Sequence, residues 1–396
     1  MKDTPEAPAR VAPVRLALGG LLALAAAMGI GRFALTPVLP FMSYGLPLTA
    51  AQAGALASAN FAGYLVGALA AMSAREAWLV PGFVGALAAS AATTALMAAS
   101  DHLVLLAVLR FAAGLASAGV LVFASTLILE RLTRSARPGL AALHFAGVGC
   151  GIALSALVVG GLGAEPGGWR VLWLGTGGVA ALLACAALVC LWPALLPPKR
   201  MEAATSAATQ TPARMSGDLL RLAVAYGLFG GGYVVTATFL TSILRASQTL
   251  APFEAPVWAA VGLAAAGSVW VWGRVAARIG AASAFALACG VEALGVAASV
   301  LVPGLAGPAL AALLLGGTFM GITALGLVEA RRLSQGPPAR ALGLMTACFG
   351  LGQALAPALA GWLADLTGGF LWPSLGAAAL LVAAAGLTRP PGARRA

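Results

Sequence analysis

The stretch LALGGLLALAAAMGIGRFALTPVLPFM, from Leu16 to Met42, is uncharged except at Arg32. It is long enough to cross a bilayer, because a spanning helix needs about 20 apolar residues. An arginine near the middle of such a helix costs about 2.5–3.5 kcal/mol on insertion scales. A water-filled cavity, a partner group or a bound anion must offset that cost. Arg32 is therefore the first candidate functional residue.

The whole chain shares this apolar character. Of its 396 residues, 61% are hydrophobic and 9% are charged, whereas a soluble domain carries about 25% charged residues. No soluble core could enclose this much apolar surface, so the composition indicates a polytopic membrane protein in a lipid bilayer. The formal charge of +11 would suit nucleic acid if the basic residues formed one patch. They lie in short clusters between apolar runs, so we expect no nucleic-acid partner.

Proline, glycine and charge clusters divide the chain into about twelve stretches of spanning length. The longest polar stretch separates two sets of six. We therefore predict an N-terminal six-helix bundle over 1–192, a cytoplasmic linker over 193–216 and a C-terminal six-helix bundle over 217–396. The predicted helices cover 14–43, 50–73, 77–99, 102–130, 139–163, 169–192, 217–245, 255–275, 281–302, 308–330, 340–365 and 370–388.

The basic residues alternate between the predicted connections. Most of the 23 lysines and arginines lie at the termini, in the linker and in every second loop, whereas the intervening loops hold only Arg170 and Arg245. Cytoplasmic loops carry an excess of lysine and arginine. Both termini and the linker are therefore expected in the cytoplasm. The segment 16–28 could pass for a signal peptide, but the apolar run continues beyond it, so we expect a retained first helix.

The two halves align with each other at an offset of roughly 200 residues, a pattern typical of transporters built from repeats. Residues 29–33 align with residues 230–234, and Gly114 in the fourth predicted helix aligns with Gly316 in the tenth. In such proteins the substrate site lies near the bilayer midplane between the halves.

Two motifs resemble those of the major facilitator superfamily. Arg110-Phe-Ala-Ala-Gly114 resembles its helix-4 motif, in which a glycine follows an arginine by four residues. The segment from Gly273 through Arg278 to Gly280 resembles the second copy of its signature loop, with alanine in place of the usual aspartate. The resemblance implies that this segment is a conformational loop.

Three further segments are similar to the YbfB/YjiJ-like branch of that superfamily: GIGRFALTPVLP over 29–40, LASANFAGY over 56–64 and GGTFMGIT over 316–323. The resemblance implies an all-α fold of two pseudo-symmetric six-helix bundles. It also implies a multi-pass secondary transporter of the bacterial cytoplasmic (inner) membrane that works by rocker-switch alternating access. It implies no particular substrate.

Arg32 and Arg110 are predicted to lie at similar depth, on helices that line the central cavity in this superfamily. Because guanidinium groups bind carboxylate or phosphate bidentately, the pair predicts a site for a small organic anion. The alternative is structural: helix-end carbonyls satisfy Arg32, and Arg110 holds packed helices through backbone carbonyls. The chain would then be a drug or metabolite exporter with a mainly apolar cavity.

Uncharged polar side chains near helix midpoints are further substrate-binding candidates. Buried hydroxyls and amides need partners, so each could instead tie helices together. These candidates are Asn60, Tyr64, Tyr233, Thr236, Trp270 and Gln353.

His144 and Glu292 are the candidates for proton coupling, since both are titratable groups within predicted helices. A satisfied structural histidine and a neutral buried glutamic acid are the alternatives. The sequence contains no nucleotide-binding loop, metal-ligand cluster or catalytic triad pattern. We therefore expect no enzyme activity and no cofactor. The expected partners are a small-molecule substrate, lipid and, if transport is coupled, protons, with the chain as a monomer.

Overall fold

A computed structural model describes residues 12–133, 138–163, 168–195, 216–335 and 338–388. Within these residues, twelve helices are long and apolar enough to cross a membrane. This confirms the predicted all-α polytopic fold. We label the helices α1 to α12 in chain order: Pro13–Gly45, Ala50–Met72, Glu76–Ala99, Leu103–Leu129, Gly139–Gly161, Trp169–Leu195, Gly217–Arg245, Ala251–Ile279, Ala281–Leu301, Ala306–Leu333, Arg340–Thr367 and Leu371–Thr388.

Helices α1 to α6 form one half and α7 to α12 the other, with contacts between them made by α2 and α11, α5 and α8, and α1 and α7. Glycines bring α5 and α8 into backbone contact. A Cβ built on Gly262 would lie 2.3 Å from the amide nitrogen of Ala153. Helix α6 extends to Leu195, and most of the predicted linker, 196–215, lies outside the described residues.

The connection between α8 and α9 is a single residue, Gly280. Its φ of 84° and ψ of 154° fall in a region that is essentially restricted to glycine. The predicted conformational loop therefore comprises the last turns of α8, where Gly273 and Arg278 are exposed, followed by this turn.

Helix α1 is irregular around Arg32. Residues Ala25–Ile30 are π-helical, and the helix breaks at Ala34. Pro40 lies inside the following segment and has no N–H, so the carbonyl oxygen of Thr36 lacks its usual helical donor. The Thr241 hydroxyl of α7 donates to that oxygen at 2.5 Å. The distortion of α1 thus creates a contact between the halves.

Several polar contacts between the halves lie toward one face of the membrane, at which α1 ends and α2 begins. We call this the far face, and the opposite one the near face. Thr36 donates to the Ala237 carbonyl at 2.6 Å, and the Arg245 guanidinium lies 4.4 Å from the Phe41 ring centroid. The Asp365 carboxylate accepts from the amides of Ala50 and Ala51, both at 2.9 Å. The described residues thus join the halves at the far face.

Candidate functional site

Arg32 lies between the two halves and is 3% exposed. Its guanidinium carbon lies over three rings of the first half, 3.9 Å from the Tyr64 centroid, 4.8 Å from that of Phe61 and 5.5 Å from that of Phe33. A desolvated cation–π contact contributes about 2 kcal/mol or more. The rings therefore offset much of the cost of placing this charge in the membrane.

The polar partner of Arg32 comes from the other half. Its Nη2 donates to Oε1 of Gln353 on α11 at 2.7 Å. Because arginine has donors and no acceptor, the amide oxygen of Gln353 must face it. The amide nitrogen then donates to the Tyr233 hydroxyl of α7. Arg32, Gln353 and Tyr233 thus form one hydrogen-bonded chain across the interface.

Aromatic rings of the second half surround the Tyr233 end of this chain. The Tyr233 ring is stacked on Phe319 at a centroid distance of 5.5 Å, on Phe349 at 6.0 Å and on Phe229 at 5.2 Å. Phe33 contacts Phe319 at 6.1 Å, edge to face. This part of the interface therefore combines the cation of Arg32 and the amide of Gln353 with apolar aromatic walls.

Arg110 has a different environment from Arg32, although both are buried. Its Nη1 donates to the Gly31 carbonyl at 3.1 Å and its Nη2 to the Arg32 carbonyl at 2.7 Å. These carbonyls belong to the last turn before the break at Ala34, where helical acceptors lose their regular donors. Both terminal nitrogens of Arg110 thus donate to backbone carbonyls, which is the contact that the structural alternative expects.

Asn60 supports this arrangement from α2. Its amide nitrogen donates to the Arg110 carbonyl at 2.8 Å, and its Oδ1 has no partner among the described residues. The two helices touch here, since a Cβ on Gly114 would lie 2.0 Å from the Asn60 carbonyl oxygen. Asn60 therefore ties α2 to α4, the alternative given for it in the sequence analysis.

Of the remaining candidates for substrate binding, Thr236 lies one turn beyond Tyr233 on α7. It is fully buried, and no described residue bonds its hydroxyl. Trp270 is 54% exposed, and the Arg274 guanidinium carbon lies 3.3 Å from its ring centroid. It shares the outer face of α8 with the exposed Leu263. None of the contacts found among the described residues joins Trp270 to the Arg32 cluster.

The two proton-coupling candidates are completely buried. Neither ring nitrogen of His144 and neither carboxyl oxygen of Glu292 has a hydrogen-bond partner among the described residues. The His144 ring packs directly on α1, because a Cβ on Gly20 would lie 2.1 Å from its Nδ1. Glu292 belongs to α9. Among the described residues, neither group therefore forms a hydrogen bond to Arg32, Gln353 or Tyr233.

Sequence reasoning missed the phenylalanines of the site and the role of Asp365. Phe61 lies one residue after Asn60 and three before Tyr64, and this spacing on one helix face was a usable signal. Phe319 and Phe349 gave no signal, because phenylalanine is ordinary in a membrane helix. Asp365 also gave no signal, because a carboxylate at a helix end is ordinary, whereas in the structure it caps the first turn of α2.

A bilayer protein of two helical halves with a polar centre between them has the architecture of a secondary transporter. The family MFS_4, described as Uncharacterised MFS-type transporter YbfB, matches residues 24–389. The chain therefore belongs to this family of major facilitator superfamily transporters, as the sequence resemblance predicted. No curated protein matches the chain by sequence.

Solved transporters share the fold at low sequence identity. The nucleoside transporter NupG has 17% identity and a TM-score of 0.68, with 95% of this chain and 98% of that chain covered. A point mutant of NupG has 15% sequence identity and a TM-score of 0.72, with the same coverage of both chains. A third structure is that of a bacterial homologue of the human lysosomal transporter Spinster, in an inward-facing and occupied conformation. It has 15% sequence identity and a TM-score of 0.67, with 95% of each chain covered. These similarities establish the fold alone.

Proposed function

We propose that this secondary transporter moves a small organic anion by rocker-switch alternating access, with Arg32 as the group that binds the anion. We place it as a monomer in the bacterial cytoplasmic (inner) membrane with both termini in the cytoplasm. Its bundles would be 1–192 and 217–396, joined by the linker 193–216. Transport, without catalysis or a cofactor, is its whole activity in this proposal.

The observation that carries the proposal is the state of the Arg32 guanidinium. It is buried between the halves, and none of the hydrogen bonds and ion pairs found among the described residues joins it to a carboxylate. Its Nε has no partner there. A guanidinium stays protonated at any physiological pH and prefers bidentate oxygen ligands. An anion entering the interface would supply the missing countercharge.

The contacts at the far face support the rocker-switch part of the proposal. Thr36, Thr241, Phe41 and Asp365 join the halves on that side, so opening a path there requires the halves to separate. With the termini in the cytoplasm, the far face is the outer one, and this conformation is closed to the outside. Gly273, Arg278 and Gly280, at the near-face end of α8, are proposed to move with the second half.

The aromatic walls support a substrate with an apolar, flat body. Tyr64 on the first half and Tyr233 on the second lie close to the cationic and amide groups respectively. Thr236 offers a hydroxyl without a partner among the described residues. We therefore propose that Arg32, Tyr64, Tyr233 and Thr236 contact the substrate, and that Gln353 adjoins the position of its anionic group.

A drug or metabolite exporter remains the second candidate function. The observation that favours it is that three rings and Gln353 already surround Arg32, so that the cation could be structural. The substrate would then be apolar and uncharged, and its affinity would depend on the rings rather than on the charge.

Uptake of benzoate and of its uncharged isostere benzamide by reconstituted protein distinguishes the two functions. We expect benzoate transport by the wild type and a loss of about tenfold or more in Arg32→Leu, the scale of one hydrogen bond to a charged group. Arg32→Lys should recover part of it, because lysine keeps the charge but not the bidentate fork. Arg170→Lys, at an exposed ion pair, is the control. Equal benzoate uptake by wild type and Arg32→Leu would disprove the anion site.

A further inference from the structure

Gln353 occupies the edge of Arg32 that a substrate carboxylate would need. The amide oxygen lies 2.7 Å from Nη2, at the distance of a charge-assisted hydrogen bond. Gln353 is fully buried, and its nitrogen is held by the Tyr233 hydroxyl. The amide is thus fixed at both ends and directed at the cation.

We propose that Gln353 is an internal competitor for the anion site, which sets the affinity of Arg32 for carboxylates and links anion binding to the separation of the halves. The proposal rests on the proposed function of Arg32. Arg32 belongs to α1 of the first half and Gln353 to α11 of the second. An anion that displaces the amide oxygen therefore also breaks a bond between the halves.

The chemistry of the competitor makes this exchange reversible. A neutral amide oxygen satisfies the guanidinium more weakly than a carboxylate does, since hydrogen bonds between two charged groups are shorter and stronger. A carboxylate at the same position would hold Arg32 permanently. The rings beneath the guanidinium, with Tyr64 at 3.9 Å, keep it in place while its edge partner is exchanged.

Two substitutions of Gln353 act in opposite directions. Gln353→Leu keeps a similar volume but removes the competing oxygen, so the dissociation constant for benzoate should fall by about tenfold, the scale of a lost hydrogen bond to a charge. Gln353→Glu places a carboxylate beside Arg32, so benzoate binding should weaken by at least about tenfold. Binding of radiolabelled benzoate to full-length protein in nanodiscs, with benzamide as the uncharged competitor, measures both.

Thr241→Val is the matched control, because it removes another hydrogen bond between the halves, the 2.5 Å bond to Thr36, without touching Arg32. If it tightens benzoate binding as much as Gln353→Leu does, the effect comes from loosening the halves, and the competitor role is wrong. A second outcome also overturns the competitor role: benzoate binding requires Arg32, but its dissociation constant is the same in both Gln353 variants and the wild type. The proposed function of Arg32 would then stand. If Arg32→Leu leaves benzoate binding unchanged, or no form binds it, both proposals fall.

Discussion

Arg110 holds two backbone carbonyls with two nitrogens of one planar group. Lysine keeps the charge but cannot span both acceptors. We therefore expect Arg110→Lys to lower the free energy of unfolding by about 1.5–3 kcal/mol, the scale of one hydrogen bond to a charged group. Thermal unfolding in detergent measures this, with Arg170→Lys as the surface control. An unchanged melting temperature together with weaker benzoate binding would instead make Arg110 a substrate ligand.

His144 and Glu292 are buried without hydrogen-bond partners in the part of the chain that the structure describes. An ionised carboxylate in such surroundings is costly, and in practice the neutral form replaces it. If Glu292 carries a coupling proton, Glu292→Gln should abolish accumulation driven by a pH gradient while exchange without a gradient continues. His144→Gln makes the same test at the other position. Accumulation that survives in both variants would rule out both as proton carriers.

At the scale of helices, Asp365 caps α2 from the opposite half. Its two oxygens satisfy the amides of Ala50 and Ala51, and a carboxylate at a helix N-terminus contributes about 1 kcal/mol. We expect Asp365→Ala to loosen the far face, so that a thiol-reactive maleimide labels a cysteine at the buried position Val38 about fivefold faster.

The control for this experiment is Asp218→Ala. Asp218 lies in the first turn of α7 and pairs with Arg221 on the same helix, so it makes no link between the halves. Equal labelling rates in Asp365→Ala and the parent protein would show that the Asp365 contact does not hold the far face closed.

At the scale of the whole molecule, alternating access requires the far-face contact between α1 and α7 to open. A reversible bis-methanethiosulfonate bridge between Phe41→Cys and Arg245→Cys should therefore stop transport, and a reductant should restore it. The five natural cysteines are free and would first be replaced by alanine. A bridge between Asp101→Cys and Arg170→Cys, which form an ion pair within the first half, is the control. Transport that continues through the Phe41–Arg245 bridge would contradict the rocker-switch mechanism.

The sequence by itself determined the membrane class and the twelve helices, and it singled out Arg32 as a candidate. These follow from local properties: a run of apolar residues of spanning length, and the cost of one charge inside it. The family resemblance lay in contiguous motifs such as residues 29–40, which can be recognised without knowledge of the three-dimensional structure. Gln353, Tyr64 and Tyr233 were identified as candidates because polar side chains in a membrane helix require partners.

Only the tertiary structure decided which candidates meet. Arg32 and Gln353 are 321 positions apart, and packing alone brings them together. Arg110 and Trp270 show the limit most clearly. The sequence left two roles open for Arg110, an anion ligand and a ligand of backbone carbonyls, since it cannot show which groups of α1 lie beside α4. It also cannot tell the outer face of α8 from its inner face, because lipid is as apolar as the protein interior. The residues of α8 that face lipid and those that face the protein are therefore alike in composition.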